Sequence, residues 1–173
     1  MKLEKELFLV GKVESLTVAE KGRELKEIIV TLLIWISQNS SFEITNPNEY
    51  PLPVITFISQ EEIHFIVTKK DIKENTIFII QAAYIPENNI LYLPHDLKLD
   101  TLSFKSILIH ELVHHIQNIN DISYPCDGHT EKDAYNLEMK YLIQNGIEDP
   151  YEMMDLDPLS LVLITQCRNG IFR

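Results

Sequence analysis

Hydrophobic and polar residues follow two different periods along this chain, and these periods predict both helices and strands. Apolar residues recur at spacings of three and four over residues 14–38 and again over 130–144, which is typical of amphipathic helices. Over residues 106–117 apolar side chains fall almost all round the helix, which indicates a helix buried in the core. Short runs rich in β-branched residues predict strands at 51–59, 76–85 and 90–93.

Turn and capping residues place several of these elements more closely. Ser59 and Glu62 have the spacing of a capping box, so a short helix is expected after Ser59, although residues 63–68 would also suit a strand. Pro and Asn residues at 86–89 predict a turn that joins the last two strands into a β-hairpin. One strand of this hairpin would border a substrate cleft and pair with an extended peptide; an ordinary edge hairpin is the alternative.

The C-terminal half is predicted to be helical. Asp100 or Ser103 can cap the buried helix, and Thr130 can cap the helix that follows it. Pro158 suits the first position of a last helix, which is apolar on most sides and is expected to pack beneath the site. The acidic stretch 147–156 before that helix is expected to be irregular.

These elements predict one α+β domain over residues 1–173. A long N-terminal helix and a small mixed sheet with an edge hairpin would occupy about 1–99, and a helical part would occupy about 100–173. A hydrophobic content of 45% is sufficient for a real core.

Charge and apolar run length exclude some functions. The net charge of −11 argues against nucleic acid as a partner, because phosphate binding needs a positive face. No run of 18 apolar residues is present, so no membrane span is expected. Glu4 and Glu6 interrupt the basic start and the apolar patch after them is short, so we expect a cytoplasmic protein; a secreted or periplasmic location applies if a longer precursor was trimmed. The oligomeric state is left open.

Two cysteines, Cys126 and Cys167, lie 41 residues apart. A disulfide between them would favour an oxidising compartment. Two free buried cysteines are the second interpretation, and Cys126 as a metal ligand is the third.

The buried helix contains the segment HELVHHIQ, which begins at His110. In a helix His110 and His114 stand one turn apart on the same face, so both imidazoles can reach one ion. Glu111 points about 100° away from His110 and can take a proton from a water at the metal. Burying these groups without partners would cost several kcal/mol, so either they are fully hydrogen-bonded or they hold a metal. The H-E-x-x-H spacing on a buried helix favours the metal, and the sequence therefore predicts one Zn²⁺ per chain.

A catalytic zinc usually has three protein ligands, so a third ligand is expected after the loop. Glu131 is the preferred candidate because it shares a helix face with Ala134, Tyr135 and Glu138, and Ala134 would allow a close approach. His129 is the alternative third ligand, followed by Glu138 and Cys126. Tyr135 and Glu138 are also candidates for orienting a ligand or facing an oxyanion.

HELVHHIQ followed by Glu131-x-x-Ala134 resembles the zincin metallopeptidases of the gluzincin type, especially their small members. The resemblance covers about residues 76–144 and implies a zincin-like fold, with an HExxH helix followed by a ligand-bearing helix. It implies His110, His114 and Glu131 as zinc ligands and Glu111 as general base. The separation between His114 and Glu131 is short for that group, and the extended metzincin motif is absent.

The expected function is zinc-dependent hydrolysis of a peptide or protein substrate. A non-catalytic zinc-binding interaction module is the alternative, and a fourth protein ligand such as Cys126 or His129 would favour it. A third interpretation is a protease that stays latent until a partner activates it.

Overall fold

The computed structural model describes residues 18–69, 80–96 and 98–167, which form six helices and three strands. The helices are α1 (Val18–Asn39), α2 (Gln60–Thr68), α3 (Leu102–Ile119), α4 (Asp127–Gln144), α5 (Pro150–Met153) and α6 (Pro158–Thr165). The strands are β1 (Val54–Ile58), β2 (Ala83–Ile85) and β3 (Ile90–Pro94). The α+β class with a long N-terminal helix and a small sheet is confirmed.

Helix α1 provides one side of the core. Leu25, Ile29, Leu33 and Ile36 are almost completely buried, and they belong to the apolar stripe that the sequence predicted. This stripe packs against α3. The predicted helix is therefore confirmed from residue 18 onward, while residues 14–17 lie outside the described part.

The three strands form one mixed sheet in the order β1-β3-β2. Strand β1 runs parallel to β3, whereas β2 pairs antiparallel with β3 through the predicted hairpin. The strand expected at 76–85 begins only at Ala83 within the described residues, and 76–79 lie outside them. Of the described strands, β2 is at the edge that faces α3.

The caps confirm one prediction and correct two others. Ser59 and Glu62 make the complete capping box, so residues 63–68 are helix and not strand. The residue that caps α3 is Thr101, whose hydroxyl accepts the Phe104 N–H at 3.2 Å; the assignment to Asp100 or Ser103 was wrong by one or two positions. Polar residues cluster there, and only the backbone geometry selects one of them.

Helix α4 begins at Asp127 with Cys126 at its N-cap, not at Thr130 as predicted. Its first turn contains no apolar residue that would extend the helical stripe, so the sequence pattern begins later than the helix. Gly128 is required by a close approach: a Cβ there would lie 2.6 Å from the carbonyl oxygen of Gln166. The chain after α6 therefore packs directly on the start of α4.

The region before the last helix is more ordered than predicted. Asp149 caps the short helix α5, and Pro150 occupies its first turn, within the stretch that was expected to be irregular. Helix α6 begins at Pro158 as predicted, with Asp157 as its cap.

The expectation that α6 packs beneath the site was wrong. None of its residues is buried, and Leu159 and Leu163 are 67% and 55% exposed. Helix α6 contacts α4 near the molecular surface, because the core beneath the site is already filled by α1, α3 and the sheet.

The two cysteines form a disulfide. Cys126 at the N-cap of α4 is joined to Cys167, two residues after the end of α6. This bond selects the first of the three interpretations of the cysteines. Among the described helices, none combines the length and apolar content needed to cross a bilayer.

Candidate metal centre

His110 and His114 lie on the face of α3 that is turned away from the core. They are four residues apart in an unbroken helix, and their Nε2 atoms lie 3.2 Å from each other. Their neighbours Ile109 and Val113 are completely buried, whereas the two histidine side chains are slightly exposed. The helix thus presents two imidazole nitrogens to one point outside the core.

Glu131 reaches the same point from the second turn of α4. Its Oε2 lies 3.3 Å from His110 Nε2, and its Oε1 lies 3.5 Å from His114 Nε2. A zinc ion held tetrahedrally at about 2.0–2.2 Å separates its ligand atoms by about 3.3–3.6 Å. Two of the observed separations, 3.3 and 3.5 Å, lie in this range and the third, 3.2 Å between the two Nε2 atoms, is just below it, so the donor set and its geometry fit a zinc ion.

The close packing of α3 and α4 brings Glu131 to this point. Ala134 is completely buried between the two helices, and its small side chain allows them to approach closely, as predicted. Glu131, Tyr135 and Glu138 all face the cleft from one side of α4. The helix face predicted from the spacing of these residues is therefore confirmed.

The charges at this point are strongly coupled. Burial by itself lowers the pKa of His110, but hydrogen bonds with Glu131 and Glu138 outweigh it and raise that pKa to about 10. Burial opposes ionisation of Glu131, yet hydrogen bonds with His110 and His114 hold its pKa well below the usual range. These carboxylates thus favour a positive charge at His110, and zinc would compete with a proton for its imidazole.

Each histidine is held from behind by a second polar side chain. The Nδ1 of His110 lies 3.1 Å from Glu138 Oε2, which is the role predicted for Glu138, and this contact leaves Nε2 directed at Glu131. The Nδ1 of His114 lies 3.1 Å from Gln117 Oε1. Such partners fix the tautomer and the orientation of metal-binding histidines.

Gln117 was not among the predicted site residues, although it also connects the two helices of the site. Its amide nitrogen donates to the Thr130 carbonyl oxygen at 3.0 Å, next to Glu131, and to the Tyr124 hydroxyl at 3.3 Å. Its position in the sequence could have identified it. Gln117 is a polar side chain three residues after His114 on a helix predicted to be buried, and a buried polar side chain needs hydrogen-bond partners.

Glu111 is buried between α3 and the edge strand. Its Oε2 accepts a hydrogen bond from the backbone N–H of Tyr84 at 2.7 Å, so the position of the carboxylate is fixed relative to β2. Tyr135 lies on the opposite side, with its ring 4.4 Å from the ring of His110. Burial and the nearby carboxylates raise the pKa of Tyr135, so its phenol remains protonated at neutral pH.

A cleft of about 430 Å³ opens in front of these groups. Residues 80–85, which include β2, line this cleft together with His110, His114 and Glu131. The other lining groups include Asp155 but are mainly apolar. Ile107 belongs to α3 and Ile164 to α6, whereas the remaining apolar groups come from segments that the sequence did not connect with the site: Val67, Met153, Met154 and Leu156.

The alternative ligands lie elsewhere. His129 is grouped with Cys126 and Cys167, with donor atoms within 4.8 Å of one another, and not with His110 and His114. Cys126 is bonded to Cys167 and is not available as a ligand. His115 is completely buried, and its Nε2 lies 2.6 Å from the Pro51 carbonyl oxygen, which agrees with its exclusion as a ligand.

Comparison with known proteins gives one positive result. No curated protein and no solved structure matches the chain. One family model, described as Domain of unknown function (DUF6647), matches residues 21–171. Because this match covers most of the chain, the protein belongs to that family.

Proposed function

We propose that this protein is a zinc-dependent metallopeptidase with a zincin-like fold. The observation that carries the proposal is the convergence of His110, His114 and Glu131 on one point, at separations that suit a zinc ion. These residues line an open cleft that Glu111 also lines. Three protein ligands with free space beside them are typical of catalytic zinc, whereas structural zinc is usually enclosed by four.

A zinc ion in this site would supply Lewis acidity, which lowers the pKa of a water molecule toward 7 and polarises the scissile carbonyl. Glu111 accepts the proton of the attacking water and then passes it to the leaving amine. Since the Tyr84 N–H holds one oxygen of Glu111, the carboxylate has a defined orientation and its other oxygen can carry the proton. The protonated phenol of Tyr135 donates a hydrogen bond to the carbonyl oxygen as negative charge develops there.

The cleft wall supports an extended polypeptide as substrate. Residues 80–85 run along the cleft, and β2 is at the edge of the described sheet. Backbone groups along this edge, other than the Tyr84 N–H that Glu111 accepts, can pair with a peptide with little dependence on its sequence. The apolar lining from Met153, Met154 and Leu156 would then accept hydrophobic side chains of the substrate.

The disulfide supports an oxidising compartment as the place of action, in contrast to the cytoplasmic location expected from the sequence. Disulfides persist in secreted and periplasmic proteins, whereas cytosolic thiols are kept reduced. The Cys126–Cys167 bond lies five residues before Glu131 on the same helix, so it also stabilises the start of the ligand helix.

The test compares the zinc-loaded wild type with Glu111→Gln on a library of unstructured peptides. We expect the variant to keep one zinc per chain, because Glu111 is not a ligand, and to lose about 10²–10⁴-fold in kcat/KM, the usual contribution of a general base. Glu61→Gln makes the same chemical change at an exposed position on α2 and should cleave at the wild-type rate.

Two results would overturn the proposal. Cleavage by Glu111→Gln at the wild-type rate would show that Glu111 is not the general base. A zinc-loaded wild type that cuts no peptide in the library would favour the non-catalytic module or the latent protease. Glu131→Ala, measured for zinc content alone, tests the third ligand independently of turnover.

A further inference from the structure

A second group of metal-binding side chains lies at the start of α4, outside the cleft. Cys126, His129 and Cys167 place their sulfur and imidazole nitrogen atoms within 4.8 Å of one another. We propose that the reduced protein binds a second Zn²⁺ here, through the two thiolates and the imidazole. Since it uses none of the groups of the cleft, this proposal does not depend on peptidase activity.

The backbone of α4 positions two of the three ligands. Cys126 is the N-cap, and the His129 N–H donates to the Cys126 carbonyl oxygen at 3.0 Å in the first turn of the helix. Both side chains therefore extend from one rigid turn. The Cys126 side chain makes no capping hydrogen bond, so after reduction of the disulfide no contact with the helix end competes for its sulfur.

Packing keeps the third ligand close when the disulfide is broken. The backbone at residues 165–166 lies against Gly128, where an added Cβ would come within 2.6 Å of the Gln166 carbonyl oxygen. Helix α6 also packs on α4. Cys167 follows directly after this contact, so the two sulfurs should remain neighbours in the reduced protein.

The chemistry requires a two-electron reductant, which we take to be a dithiol. The dithiol becomes a disulfide as the Cys126–Cys167 bond breaks, and its two protons go to the two cysteine sulfurs. Zinc binding then releases both protons, because the thiolate is the ligand. The amino end of the 18-residue helix α4 favours negative charge and so favours the Cys126 thiolate.

Two thiolates and one imidazole are a known zinc donor set that leaves a fourth position open. The ion would take over the role of the disulfide and hold the chain after α6 against the start of α4. Zinc occupancy at this position would thus report the redox state of the protein, whereas the site formed by His110, His114 and Glu131 would bind zinc in both states.

The experiment compares the full wild-type chain in its oxidised form and after reduction by a phosphine, which is oxidised to the phosphine oxide while water supplies the oxygen atom and the two thiol protons. A dithiol is avoided here because its own thiolates would bind zinc. We expect reduction to add one zinc ion per chain, which gives two ions when the site in the cleft is also filled. With Co²⁺ as the probe, only the reduced form should show thiolate-to-cobalt charge-transfer absorption, because the site in the cleft contains no sulfur. His129→Ala should lower the affinity for the second ion by more than about tenfold. Losing even a residue that only hydrogen-bonds to a ligand typically lowers metal affinity by about 10–100-fold.

His95→Ala is the matched control, because it removes an exposed histidine from a loop that lies before α3. It should bind both ions like the wild type. The proposal is overturned if reduction adds no zinc and no charge-transfer band, or if His129→Ala binds the second ion as tightly as the wild type. It is also overturned if the reduced chain loses its helical circular dichroism, since the proposal requires the packing at Gly128 to survive reduction.

Discussion

Helices α3 and α6 are both rich in apolar residues, yet they occupy opposite environments. Ten residues of α3 are buried, including Leu108, Ile109 and Leu112. No residue of α6 is buried. Helix α3 is enclosed by α1, α4 and β2, whereas α6 rests on α4. Apolar content alone therefore does not decide burial; the number of packed neighbours does.

The polar residues of the two helices differ in the same way. In α3 each polar side chain of the site has a defined partner: His110 contacts Glu138, Glu111 accepts from Tyr84 and Gln117 donates to Thr130. Burial makes these partners necessary, because an unpaired polar group in the core costs free energy. Helix α6 contributes an apolar side chain, Ile164, to the cleft. The candidate catalytic and metal-binding residues of these two helices thus lie on the enclosed helix α3, whereas the exposed helix α6 contributes an apolar side chain to the lining of the cleft.

The largest effect that tests this comparison should come from Leu108→Ala. Leu108 is completely buried in α3 and does not line the cleft. Its truncation should reduce the free energy of unfolding by about 2–5 kcal/mol, because the cavity adds to the lost transfer free energy. Urea unfolding of the zinc-free, disulfide-bonded protein measures this change. A loss below about 1 kcal/mol would mean that the core around α3 is loosely packed.

Local sequence signals predicted the centre of the site. The spacing of His110 and His114 requires only a continuous helix, and the buried apolar residues around them ensure that α3 forms. Glu131 was found because Ala134 and Glu138 share its helix face. These inferences depend on residues within one or two turns, where periodicity is informative.

The remaining parts of the site depend on contacts between distant segments. Residues Met153 and Ile164 reach the cleft only because α5 and α6 fold back onto α4. The exposure of α6 could not be predicted, since its sequence does not reveal that the core is already filled. Similarly, the sequence offered the Cys126–Cys167 bond as one of three interpretations, and the structure selects it by bringing the chain after α6 against Gly128 at the start of α4.

An intermediate effect is expected from Gln117→Ala. The variant removes the acceptor behind His114 Nδ1 and the donor to the Thr130 carbonyl oxygen, so both helices of the proposed zinc site lose a restraint. Zinc affinity should fall by about 10–100-fold, or roughly 1.4–2.7 kcal/mol. Competition with a chelator of known affinity measures it. Gln38→Ala, at an exposed position of α1, is the control and should leave the affinity unchanged. An unchanged affinity in Gln117→Ala would show that α3 alone orients His114.

The smallest effect is expected from Leu159→Ala, which makes the same substitution as Leu108→Ala but on α6. Leu159 is 67% exposed, so its truncation removes little buried surface. The free energy of unfolding should change by no more than about 0.5 kcal/mol, as is usual for surface positions. Urea unfolding under the conditions used for Leu108→Ala gives a direct comparison, and zinc affinity should be unchanged. A loss above about 1 kcal/mol would mean that the apolar surface of α6 is covered in solution. The two helices would then both be buried, α3 within the chain and α6 against another molecule.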